Sequence, residues 1–422
     1  MLRRISLILV LAMLTILVSL SVVSAQADPI KIGVLVDESG PLSTYGFEVD
    51  YGFQLGMQYA TDGTMEIAGR PVEILIRDNA SDPDTAASQA RQLIEEEGVE
   101  ILVGTISSGA TVGLQQIALD FDVILMVAAG ASPAITSTNF NENTFRVCRN
   151  ALQDTLAFAN YASGNLGQNL LQFAADYEFG RAVAAGNEFV YGSMGFNFVS
   201  DTIYAPLETT DFTPYAQQIL DLNPDVLLPI WAGGGIVTMN QQFQELGVYY
   251  GMTVAAGMTS NDDMAVADPS LVGQVGWIVY HYTFPDNEVN DWMIEQYQEQ
   301  YDDVPDLFSE CAFATAQSLA MALEATEGDS LPSAMIPELE GMVFDGPKGA
   351  YGIRPSDHQA LAPMYIVQID NLESDVYDFY TLLEEVDALT IAPPCSLPEG
   401  MTDRCENDAE FLDEFTAAMG DM

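Results

Sequence analysis

The sequence predicts an α/β protein of two doubly wound, Rossmann-like lobes, and three observations carry that prediction. The 422 residues are too many for one ordinary core. Short apolar runs alternate with segments of helical spacing from Ile30 to Val147. The alternation then begins again at Asn169 and continues to Tyr282. Two mainly parallel sheets with helices on their faces are therefore expected.

Taken in order, Ile30–Val36 reads as the first strand and 48–61 as the first helix. A strand follows at 72–78, and Asp84 is placed to cap a helix over 85–97. Ile101–Val103 is a short buried strand that Gly104 breaks; 105–109 is small and hydroxylated, and 110–120 has helical spacing. Strands at 123–127 and 143–147 complete the first run. In the second run, strands are expected at Asn169–Ala175, 197–205, Val226–Ile230, 252–256 and 277–282. Helices alternate with them from about Arg181, over 212–222 behind Asp211, and over 236–246. Further helices come at 289–301, Leu307–Ala325 and about 333–340, then strand-like 351–353 and 365–369. Helices arriving after the second sheet can return to the first lobe. The expected organisation is 28–150 plus 284–355 as lobe 1, 151–283 plus 356–385 as lobe 2, and 386–422 as an acidic, Cys-containing tail.

Residues 1–27 read as a secretory signal peptide: Arg3 and Arg4, an apolar run from Ile5 to Val23, then Ser24, Ala25 and Ala27 at the cleavage point. No later segment is long and apolar enough to span a bilayer, so an exported chain in the periplasm or another extracytoplasmic space is expected. The formal net charge of −50, from 12 basic and 62 acidic residues, argues against nucleic acid and anionic lipid as partners. Four cysteines in an exported chain suggest disulfides. Cys395 and Cys405 close a short Pro- and Gly-containing loop, which leaves Cys148 to pair with Cys311. Their spacing lacks the repeats or nearby histidines of a zinc site, and no metal is expected.

The loop 104–111 lies where an open α/β sheet binds ligands. The free N–H groups of its helix and the hydroxyls of Ser107 and Ser108 suit a carboxylate; capping by the same serines satisfies the same donors. Tyr45, in a Gly-bounded loop, is turn filler or cleft wall. Trp231 precedes Gly233-Gly234-Gly235, without the Lys or spacing of a phosphate cradle, and is either core or wall. Glu310 is a first-turn helix charge or a ligand partner. Arg146 and Arg149 flank Cys148 and read as paired structural arginines. With two histidines, His281 and His358, and no hydrolase or metalloprotease motif, neither enzyme activity nor a cofactor is expected.

The pieces DESGPLSTYG (37–46), RDNASDPDTAA (77–87), LVGTISSGAT (102–111) and LMVAAGASPAIT (125–136) occur in this order, followed by DYEFG, DFTPY, 225–235 and FDGPKGAY. In that order they resemble the type I periplasmic solute-binding proteins of ABC importers, in the branched-chain amino acid and amide group. The resemblance implies two lobes joined by a three-stranded hinge that close on a small molecule. Ser108 then matches the serine that holds the ligand carboxylate. Ala129, Gly130 and Ala131 match the loop that supplies backbone groups, with Ala131 in place of a threonine. Tyr45, Phe179 and Trp231 match aromatic cleft walls. Near Thr259 the family has an acid for the ligand ammonium; this chain has Gly257-Met258-Thr259-Ser260-Asn261, with Asp262 slightly later. The implied ligand is a hydrophobic amino acid first, a small amide next, and a sugar well below. The implied partners are the ligand and the membrane subunits of an ABC permease, with the receptor a monomer. A sensor serving a chemoreceptor or kinase ectodomain is the alternative.

Overall fold

The structure, a computed structural model, describes residues 27–374 and 376–420, so the expected signal peptide lies outside the described residues except for Ala27. Six strands form the first sheet: β1 (Ile30–Val36), β2 (Glu66–Ile67), β3 (Arg70–Asp78), β4 (Ile101–Val103), β5 (Ile124–Val127) and β6 (Thr144–Arg146). Their order is β2-β3-β1-β4-β5-β6, and every pair but β2–β3 is parallel. Parallel neighbours need crossovers, and helices supply them. Ile32, Val34 and Val36 of β1 share a core with Phe53 and Leu319; Leu35 faces the other way, toward Ala90 and Leu114.

The helix preceding β4 is Pro83–Glu95, and its cap is Asp82, which accepts from Thr85 N at 2.7 Å. The sequence expectation of an Asp84 cap is thus two residues late. Pro83 is the reason, because proline at the first helical position needs no N–H partner. The helices Gly46–Ala60 and Leu307–Ala325 cross at close range. A Cβ on Gly52 would stand 2.2 Å from Ser309 O, and one on Gly56 2.4 Å from Phe313 O. Glycine there brings Tyr45 and Phe308, at the starts of the two helices, to a ring separation of 5.1 Å.

The second sheet begins with β7 (Asn169–Ala175), β8 (Asn197–Phe198), β9 (Ile203–Ala205), β10 (Val226–Ile230), β11 (Thr253–Gly257) and β12 (Val275–Ile278). The single strand expected over 197–205 is divided by a polar bend at Ser200 and Asp201, poor strand formers. A small antiparallel sheet follows, of β13 (Val343–Gly346), β14 (Gly349–Ile353) and β15 (Ala360–Leu361). β16 (Met364–Ile369) and β17 (Tyr380–Val386) then complete the second sheet in the order β17-β16-β12-β11-β10-β7-β8, with β9 also on β7.

The chain passes between the two halves after Arg146, after Ile278 and after Leu361. It then passes a fourth time. Phe411 and Phe415, on the helix Ala409–Gly420, pack with Ala350, Leu361 and Ala388 against the small sheet. The segment 386–422 is therefore a packed element as far as Gly420, because its apolar helix face covers that sheet. Two disulfides are present, Cys148–Cys311 and Cys395–Cys405. The first ties the first passage to the helix Leu307–Ala325; the second staples the tail. Among the described residues no helix is long and apolar enough to cross a membrane.

Candidate functional site

The carboxyl edges of the two sheets face each other, the position where open α/β sheets bind ligands. Between them lies a cavity of about 70 Å³, lined by Tyr45, Arg149, Asp154, Phe179, Trp231, Thr259, Trp277 and Phe308, with Val183, Ile230, Val279 and Leu307 among the aliphatic residues. Polar contacts join the two sides around it. Tyr45 Oη lies 3.2 Å from Thr259 Oγ1, and Ser132 Oγ donates to Glu178 Oε1 at 2.8 Å. Asn261 N donates to Asp306 Oδ2 at 2.6 Å, and Gly234 N to Pro41 O at 2.6 Å. Gly233, at φ +90°, allows that last approach: a Cβ there would be 2.5 Å from Pro41 O. The glycine run thus serves lobe contact.

Four of the ten residues expected to bind the ligand line this cavity: Tyr45, Phe179, Trp231 and Thr259. Tyr45 is buried, which pushes its hydroxyl well above the ordinary pKa and keeps it neutral. Trp231 fulfils both of its readings. It lines the cavity, stacks on Phe173 at 5.7 Å, and donates from Nε1 to Gly234 O at 3.0 Å.

The remaining six lie elsewhere. Ser107 caps the helix Ser108–Phe121, its Oγ accepting from Ala110 N at 3.3 Å, and borders an outer groove with Pro41 and Tyr177. Ser108 Oγ accepts from Ala131 N and Ser132 N, each at 3.1 Å. Ala129, Gly130 and Ala131 form the loop so held. Glu310 is fully buried, accepts from Tyr351 Oη, and stands 3.5 Å from Lys348 Nζ. Burial raises its pKa and Lys348 opposes the rise. These six are placed in hydrogen-bonded or ion-paired structure beside the cavity lining.

Sequence reasoning missed Asp154, Trp277 and Phe308 and gave Arg149 a purely structural role. Arg149 Nε donates to Asp154 Oδ1 at 3.0 Å, and the guanidinium lies 5.4 Å from the Phe308 ring centroid. Its Nη1 has no hydrogen-bond partner among the described residues. Asp154 is pushed up by burial and pulled down by Arg149. Arg146 does not join an acid pair. It donates to Gln359 Oε1 (2.7 Å), Gly130 O (3.0 Å), Ser132 O (2.7 Å) and Thr136 Oγ1 (2.6 Å), all neutral acceptors. Burial lowers its pKa to about 9, which leaves it charged at neutral pH. The signal for Arg149 was its place at the first passage, beside the cleft.

Both histidines are held in structural contacts. His281 bonds Thr283 Oγ1 at 2.8 Å and Tyr377 O at 2.9 Å, and burial lowers its pKa to about 4. His358 stacks on Phe145 at 3.8 Å and bonds Glu340 at 2.9 Å. Apolar walls around one charged end suit reversible capture of a small molecule.

Two α/β lobes meeting over a buried, aromatic-walled cavity define a two-lobed solute-binding protein. A periplasmic binding protein family model matches residues 29–375, and the chain belongs to that family. The Leu/Ile/Val-binding protein homolog 6 of Brucella suis is 22% identical over 371 residues, covering 85% of this chain and 92% of that protein. A solved branched-chain amino acid ABC transporter protein from Rhodopseudomonas palustris is 28% identical, with a TM-score of 0.73, covering 88% of this chain and all of that one. A solute-binding protein from R. palustris in complex with benzoate superimposes with a TM-score of 0.78 at 20% identity, covering 88% and 99%. The family consists of solute-binding proteins, and its name places such proteins outside the cytoplasm.

Proposed function

We propose that this chain is the extracytoplasmic receptor of an ABC importer, exported by its signal peptide. It captures a small, mostly apolar molecule between its lobes and delivers it to the permease. The observation that carries the reading is the cavity between the two sheets, walled by Tyr45, Phe179, Trp231, Trp277 and Phe308 and bridged by cross-lobe hydrogen bonds. The cavity encloses about 70 Å³, so the solute of this reading is small. The names of the relatives support amino acids; the benzoate complex supports aromatic acids. Closure follows if the ligand binds the closed form better than the open one, and hinge closure is the motion for which such receptors are the standard example.

A thermal-shift screen across aliphatic and aromatic amino acids, their amides and aromatic acids tests the reading. A true ligand at 100 times its Kd adds about 2.7 kcal/mol of stability. No stabilisation by any member of these classes would overturn the receptor function as stated.

A further inference from the structure

We propose that closing the two lobes takes up a proton: closure sets carboxylates of both lobes against one another with no base between them, so the closed form gives way as pH rises. The inference goes beyond the receptor reading, since it concerns the closing motion and holds whichever solute is captured.

The seam between the lobes carries it. Next in the chain to Tyr45 and Thr259, Thr44 Oγ1 lies 3.3 Å from Ser260 Oγ, and Asn261 N donates to Asp306 Oδ2 at 2.6 Å. These contacts border a recess of about 260 Å³. Glu48, Asp303 and Asp306 line it from the first lobe, and Asp262 lines it from the second. Among the described residues no lysine, arginine or histidine lines it. Asp263 stands beside Asp262 and accepts from Thr259 Oγ1 at 2.9 Å. Only the closed form brings Asp262 and Asp263 up to the acids of the first lobe, where like charges oppose one another.

Glu48 is the group most exposed to that cost. Its side chain is buried; Oε2 accepts from Phe308 N at 2.8 Å, while Oε1 has no hydrogen-bond partner among the described residues. A buried ionised carboxylate with one bare oxygen is expensive, and a proton removes the charge. The charges that act on it are those of Asp306, Asp263 and Asp262, all of one sign. Tyr45 and Tyr297 face it as well, and burial keeps both neutral. On the neighbouring elements the other charged groups have partners of their own. Arg149, beside the Phe308 ring, is bonded to Asp154; Glu310 stands by Lys348; Asp50 accepts from Gln54.

Burial first, and the neighbouring acids second, hold Glu48 well above the ordinary carboxylate range. Burial likewise raises Asp306 to about 7, against the pull of the N–H groups of Asn261 and Leu307. Opening admits water and withdraws Asp262 and Asp263, so both groups return toward their ordinary values. The open form therefore releases a proton that the closed form holds. The preference for closure is fully present below about pH 4 and is lost as pH rises through 7.

Solution scattering of the ligand-free chain at constant ionic strength tests the proposal. Between about pH 8.5 and pH 5.5 the radius of gyration should fall, and the closed-to-open ratio should rise about tenfold or more. Glu48→Gln, which keeps an acceptor for Phe308 N and carries no charge, should stay compact at the high pH and respond less to acid. Should that variant fail to fold, Asp262→Asn on the exposed side of the seam should also raise the closed fraction at high pH. A radius that does not change with pH would overturn the proposal. So would the wild-type pH response surviving in both variants. Compaction produced by about 1 M NaCl and not by acid would assign the effect to general screening and overturn it too. Each of these results leaves the receptor reading standing, because no solute is present in the measurement.

Discussion

Two polar walls border the cleft, and they differ in what their donors already hold. On the first-lobe wall, Ser108 takes the N–H groups of Ala131 and Ser132, Asp37 takes that of Ile106, and Arg146 spends itself on carbonyl and side-chain oxygens. On the wall of the first passage, Arg149 gives one bond to Asp154, and its Nη1, beside the Phe308 ring, has no hydrogen-bond partner among the described residues. A helix N-terminus with neighbouring hydroxyls looks like an anion site in a sequence. It acts as one only where the surrounding fold leaves its donors unclaimed.

Several substitutions can break or sharpen this contrast. The largest effect is expected at Arg146. Replacing it by Met leaves Gly130 O and Ser132 O without their donor in a buried loop, which should cost about 4 kcal/mol in urea unfolding. A loss below about 1 kcal/mol would mean that the first wall does not depend on it.

Asp37 comes next, through pH. Burial raises its carboxyl from 3.8 to about 6 in the folded chain. Between these values the folded chain holds a proton that the unfolded chain releases. The stability from this group is thus fully present below about pH 4 and lost as pH rises through 6, to a total of about 3 kcal/mol. Melting curves from pH 4 to 8 should show this decline, and Asp37→Asn should flatten it.

Ser108→Ala should lower stability by about 2 kcal/mol, since two buried N–H groups lose their acceptor. Denaturation without ligand reads it directly. Unchanged stability with weakened ligand binding would instead make the first wall the binding wall. The smallest effect is expected at Tyr45→Phe, which removes the contact with Thr259. It should shift the equilibrium toward open lobes by about 1 kcal/mol, seen as a larger radius of gyration in solution scattering.

Much of the fold was legible because its cause is local. Ile30–Val36, Asn169–Ala175 and Val226–Ile230 are apolar runs that a buried parallel strand requires, and they begin and end where the composition does. The pairing of Cys395 with Cys405 followed from their closeness in the chain. β17 was not marked, because five exposed residues between buried Tyr380 and Val386 hide an edge strand. The tail helix read as an appendage for a related reason: the surface it covers lies some 60 residues away, on β14.

The site divides along the same line. Sequence by itself determined the two-lobed α/β class, the charge and the cysteine pairs, and the family resemblance added the expectation that Tyr45, Phe179 and Trp231 wall the cleft. Only the tertiary structure decided that Ser108 Oγ accepts from Ala131 N and Ser132 N and that Arg149 stands over Phe308, which is far from it along the chain. Apolar periodicity is a property of neighbouring residues, so it can be read from their order. Whether a buried hydrogen-bond donor is satisfied depends on atoms brought together by the whole fold.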